Sequence, residues 1–212
     1  MRQCCEIVGY RPKEDITELK VIVEGNLESY LRKYQKNGVV SGELQFDDGR
    51  FISSAQRKKI YAMLADIAYF SGDVPEYTKE LFKFFFMASY GIEYFSLSDC
   101  SMEIAREYIT FLLDFVLQHD IPISDLGVHR TDDIERYLWS CIKYKRCCIC
   151  GKPADIHHVD AIGKGRNRKD YDDSGHRKMA LCREHHSEAH NIGVDSFEAK
   201  YHVFGVIYEE EE

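Results

Sequence analysis

The chain has 212 residues, 44% of them hydrophobic, and a formal net charge of −8 from 28 Lys and Arg against 36 Asp and Glu. That length can carry one large domain or two smaller ones with adequate cores, so bulk stability does not call for a metal. The N-terminus lacks the apolar stretch of a signal peptide and no uncharged apolar run approaches the ~20 residues of a bilayer span, so a cytoplasmic protein without membrane contact is expected, its eight cysteines thiols or thiolate ligands.

Between residues 5 and 51, the β-branched segments Leu19–Val23 and Val39–Phe46, the second followed by the turn Asp47-Asp48-Gly49, predict a small antiparallel sheet. Ser53-x2-Gln56 fits a capping box, and Ile60, Met63, Leu64 and Ile67 recur at helical spacing until Ser71-Gly72. A second helix is expected to begin near Pro75, to carry Leu81, Phe82, Phe85 and Ala88 inward, and to end at Gly91. A third starts at about Ser101 and turns Ile104, Tyr108, Phe111, Leu112 and Phe115 inward before Pro122. A last one, from Thr131 through Ile134, Leu138 and Cys141 to Lys145, reads as the connector between a domain over residues 1–140 and another over 141–212.

The chemistry is concentrated after that connector. Cys147-x2-Cys150 and Cys182-x2-His185 are paired knuckles of soft ligands, the set tetrahedral Zn²⁺ takes in closed structural sites; buried unligated thiols are the alternative. Cys148 is left as a bystander. Four further histidines remain, and His186 and His190, four apart on an expected helix, share a face. With His157 they could hold a second metal with open positions, as a catalytic site requires. His158, next along a strand, points the other way and is a candidate general base. A single zinc site with interchangeable histidine ligands is the plainer reading.

Charge follows the same division. Residues 146–190 carry nine cations against seven anions, whereas residues 1–145 carry 18 against 23 and the last 22 residues one against six. Lys164, Arg166, Arg168 and Lys169 lie within seven residues with two glycines, a composition suited to a phosphate backbone. A solvated loop is the alternative, since Asp170, Asp172 and Asp173 follow at once.

The series Cys147-x2-Cys150, Asp155-x-His157-His158, Leu181-Cys182-x2-His185-His186-x3-His190 resembles the HNH endonuclease module, a β-hairpin and helix around one catalytic metal, in its zinc-containing variant common in phage proteins. The resemblance implies an α+β chain: a small N-terminal sheet with a helical domain, then a ββα-metal domain with structural zinc. It implies His158 as general base, His157, His186 and His190 as ligands of one catalytic divalent ion (Mg²⁺, Mn²⁺, Ni²⁺ or Zn²⁺), and Cys147, Cys150, Cys182 and His185 as the zinc set. His176 stands near the place where the family has Asn and is expected to substitute for it, and His185 replaces a more usual Cys.

Residues 50–122, with Phe51-Ile-Ser-Ser-Ala-Gln-Arg-Lys-Lys-Ile60, Ser101-Met-Glu-Ile-Ala-Arg-Glu-Tyr-Ile109 and Asp120-Ile-Pro122, are similar to the lambda Orf (NinB) recombination proteins. That similarity implies a homodimer that binds single-stranded DNA and engages single-strand-binding protein. Together the expectations describe an endonuclease of phage recombination acting on single-stranded or branched DNA. A non-catalytic single-strand-binding mediator with a degenerate nuclease fold is the alternative.

Overall fold

A computed structural model describes residues 5–23, 25–40, 49–160 and 175–208. Strands β1 (Cys5–Pro12) and β2 (Thr17–Val23) form an antiparallel hairpin, followed by the short helix α1 (Glu28–Tyr34). The expected N-terminal sheet is present, with a different pairing. Thr17–Val23 joins the strand just before it, through a tight turn closed by Lys13 N donating to Ile16 O, because the shorter loop costs less entropy to close. Among the described residues Val39 bridges back to Lys36, and residues 41–48, which include most of the expected second strand, lie outside the described residues.

Helices α2 (Ser54–Ser71), α3 (Pro75–Tyr90) and α4 (Met102–Gln118) follow, and α2 packs on both of the others. Their ends obey local chemistry. Ser53 Oγ accepts from Gln56 N while the Gln56 side chain accepts from Ser53 N, completing the capping box, and Gly72 closes α2 at φ +77°, a conformation that favours glycine. Ile60, Met63, Leu64, Phe86, Tyr108, Ile109 and Leu112 are fully buried between the three helices. On α3 the inward residues are Phe82 and Phe86, whereas Phe85 is exposed; five apolar residues from Leu81 to Phe86 leave its inner face unspecified by periodicity.

After the one-turn α5 (Gly127–Arg130), α6 (Ile134–Lys143) begins three residues later than expected because Asp133, not Thr131, caps it by accepting from Arg136 N. Its buried Tyr137, Leu138, Cys141 and Ile142 pack against α4 and against the strands that follow, and buried side chains form one continuous cluster from Ile52 to Val206.

Those strands are β3 (Asp155–His158) and β4 (Arg177–Leu181), an antiparallel pair leading into α7 (Arg183–Ile192) and α8 (Val194–Tyr201). The two-residue β5 (Val206–Ile207) adds a third strand in the order β3-β4-β5. Its approach depends on Gly205, where a Cβ would sit 2.6 Å from Val159 Cγ2 and 2.9 Å from Arg177 Cβ. The chain is α+β, and no described helix is long and apolar enough to cross a membrane.

Candidate metal centre

Two knuckles build the first cluster. Cys147 and Cys150 lie on a turn in which Cys147 N donates to Lys152 O and Gly151 N to Cys147 O, with Gly151 at φ +70° where a side chain would be strained. Cys182 is the N-cap residue of α7, which places His185 one turn on, facing back toward the knuckle. Cys148 N donates to Ala180 O, and Tyr137 Oη donates to Cys148 O, so the turn is fastened to β4 and α6.

The four ligand atoms lie within 4.8 Å of one another. His185 Nδ1 is 3.2 Å from Cys182 Sγ and 3.4 Å from Cys147 Sγ, and Cys150 Sγ is 3.6 Å from Cys182 Sγ. Ligands on a tetrahedron with bonds of ~2.3 Å to sulfur and ~2.0 Å to nitrogen stand roughly 3.5–3.8 Å apart, so these edges come within about 0.3 Å of a tetrahedral metal site. Burial pushes the Cys147 thiol up to about 12, which disfavours the thiolate unless a cation is present. At Cys182 burial acts in the same direction, but N–H groups of His185 and Glu184 and the neighbouring thiols outweigh it and lower its pKa. Cys148 is buried with its thiol pushed well up by desolvation, and it is no part of the set.

The second cluster lies between β3 and α7. His186 and His190, one helical turn apart, face His157 on β3, with ring centroids 4.7 Å, 4.9 Å and 4.7 Å apart around the triangle and ligand nitrogens within 4.8 Å of one another. His157 is 3% exposed, and its Nε2 is buried without a hydrogen-bond partner. An orphaned ring nitrogen facing two other imidazoles fits a metal ligand, since an unmet buried acceptor otherwise costs about 1–3 kcal/mol. Burial first, then His186, His190 and His158, push His157 down to about 4, and burial also lowers His186. Both are neutral at pH 7, the form that binds metals.

The remaining predicted residues are distributed as follows. His158 pairs across the hairpin with Lys178, and His157 with Met179, so the two histidines project to opposite faces of the sheet. His176 stands one residue before β4, at the mouth of the hairpin. Lys164, Arg166, Arg168 and Lys169 lie outside the described residues.

Sequence reasoning missed three supports. Asp160 and Arg177 close the hairpin: Arg177 Nε and Nη2 donate to Asp160 Oδ1 at 3.1 Å and 2.8 Å, and Arg177 N donates to Oδ2 at 2.8 Å. The Arg177 hydrogen bonds hold the Asp160 carboxyl below its ordinary range. The ring of His185 is wedged against Tyr201 and Phe197 of α8, at 5.5 Å and 6.4 Å. Lys178, cross-strand from His158, is buried. An Asp and an Arg 17 residues apart give no local signal; the aromatic pair at Phe197 and Tyr201, i and i+4, could have been read as a helix face.

A hairpin and a helix bring a four-residue Cys/His cluster and a histidine triad side by side, both able to hold a metal ion. A family model described as "Putative HNHc nuclease" matches residues 24–212, and the chain belongs to this HNH nuclease family. No curated protein and no solved structure matches the chain.

Proposed function

We propose that the protein is a metal-dependent DNA endonuclease of phage recombination that hydrolyses phosphodiester bonds in single-stranded or branched DNA. The observation that carries this is the convergence of His157, His186 and His190, with a buried unpartnered nitrogen, beside His158 on the same strand. Cys147, Cys150, Cys182 and His185 would hold a structural Zn²⁺, and Cys182 at the start of α7 would tie that helix to the knuckle and so orient His186 and His190. His157, His186 and His190 would hold one divalent ion, which supplies Lewis-acid polarisation of a phosphate oxygen and neutralises charge on the leaving 3′ oxygen.

His158 accepts a proton from the attacking water, which displaces the 3′ oxygen in line; the leaving oxygen takes a proton from solvent, giving a 5′ phosphate and a 3′ hydroxyl. His176, at the hairpin mouth, takes the place of the family's Asn in orienting His158. Lys164, Arg166, Arg168 and Lys169 contact the DNA backbone, adding salt-dependent affinity without base selection. The recombination setting, pairing with a second copy and engagement of single-strand-binding protein rest on the similarity of residues 50–122 to lambda Orf proteins.

The test is cleavage of labelled single-stranded, duplex and branched DNA with Mg²⁺, Mn²⁺ or Ni²⁺. His158→Ala should lower the rate about 10²- to 10⁴-fold, the usual worth of a positioned general base, while leaving DNA affinity unchanged. Equal rates in the two proteins would overturn the assignment of the base.

A further inference from the structure

The chain's single tryptophan, Trp139, lies on α6 among cations. Arg136 Cζ is 4.7 Å and Lys143 Nζ 5.0 Å from the indole ring, three residues before and four after it on the helix, and Tyr208 packs against it at 5.3 Å. Lys143 also lies 5.6 Å from the Tyr144 ring. Both distances lie within cation–π range, so the two cations are held at one ring. In a chain of net charge −8, two cations gathered on one aromatic platform constitute a local anion receptor.

The platform lies on the helix that packs against the strands of the hairpin sheet. Directly paired residues of an antiparallel sheet project to one face, so His158 on β3, Lys178 on β4 and Val206 on β5 share a face. Helix α6 packs against β4 and β5, and Tyr208, two residues beyond Val206, meets Trp139 there.

We infer that Trp139, Arg136, Lys143 and Tyr208 form a second contact for the DNA backbone, apart from the site of hydrolysis. The ligand is the sugar–phosphate chain. Guanidinium and ammonium groups held on an aromatic ring suit phosphate oxygens and read no bases. Arg136 also approaches Asp114 at 4.0 Å, the limit of an ion pair, and its side chain is 41% exposed, so it can turn to a phosphate at little cost. This contact rests on the nuclease reading for its substrate, but binding can be measured apart from cleavage.

The experiment uses the full chain without added divalent ions and a fluorescein-labelled 20-base-pair duplex, read by anisotropy between 50 and 300 mM salt and by the emission of Trp139. Saturation with DNA should change the tryptophan emission. Arg136→Gln with Lys143→Gln should weaken binding about tenfold near 0.1 M salt and reduce the slope of log affinity against log salt by about 2, with an unchanged unfolding midpoint. Should the double variant fold poorly, Lys143→Gln alone, at an exposed position, should reduce the slope by about 1. Wild-type affinity and slope in a folded variant, or an emission indifferent to bound DNA, would overturn the inference while leaving the nuclease reading intact. Loss of slope in a chain that never cleaves DNA would support the contact and count against the nuclease reading. No DNA binding by the wild type would sink both.

Discussion

His157 combines burial, a ring nitrogen without a partner, and two facing imidazoles, and each of these destabilises the chain unless an ion is bound. The consequence is a pH dependence with a definite sign. Burial and the neighbouring histidines lower this imidazole from 6.5 to about 4, so below pH 6.5 the unfolded chain takes up a proton that the folded chain refuses. Without added divalent ions, stability should therefore be full above pH 6.5, fall as pH drops toward 4, and level off below. The total is about 3 kcal/mol from this residue, and burial of His186 acts in the same direction. Urea unfolding at pH 7, 6 and 5 checks this; a midpoint that does not move between pH 7 and 5 would show that His157 is solvated or already paired. At the first cluster, Cys182→Ala should remove one ligand of four and release the ion. Zinc content per chain would fall from one toward zero, and circular dichroism would lose the α7 contribution, because metal binding of this kind is coupled to local folding.

At the scale of elements, caps and knuckles were the legible part of the sequence. Ser53 and Gln56, Pro75, the glycines 72 and 91, and the two Cys-x2 pairs act within a few residues; α2, α3 and α4 lie where those signals put them, and Cys147, Cys150, Cys182 and His185 come together in a cluster that could hold a metal. The i, i+4 pair His186 and His190 was readable for the same reason. Signals that depend on distant partners were not. The pairing of β2 with Cys5–Pro12, the third strand β5, the Asp160–Arg177 clasp and the choice of Phe86 over Phe85 are each decided by packing or loop closure that no short window contains. One such contact gives a sharp test. Gly127 opens α5 directly against the buried ring of Tyr137, where a Cβ would stand 2.2 Å from Oη and 2.7 Å from Cζ. Gly127→Ala should therefore destabilise the chain by about 1–3 kcal/mol, the usual cost of overpacking, although glycine to alanine at an open helix position stabilises. An unchanged or raised Tm in that variant would show that Tyr137 moves aside freely.

For the molecule as a whole, α6 is the element that unites the helical layer and the hairpin. Its inner residues pack on α4 and on β4 and β5, and its Tyr137 fastens the Cys147–Cys150 knuckle through Cys148 O. The chain's charge is negative on either side of the one positive stretch, residues 146–190, so DNA approach should be guided to the hairpin and helix and weaken steeply with salt. The account requires two ions with different roles in one module. The most direct measurement counts metal ions per chain by native mass spectrometry alongside DNA cleavage, in the wild type and in His186→Ala with His190→Ala. One ion should survive extensive dialysis in both proteins, and a second, exchangeable ion should bind and support cleavage in the wild type only. Cleavage at the wild-type rate by the double variant, or a wild type that cleaves DNA while never binding more than one ion, would contradict it.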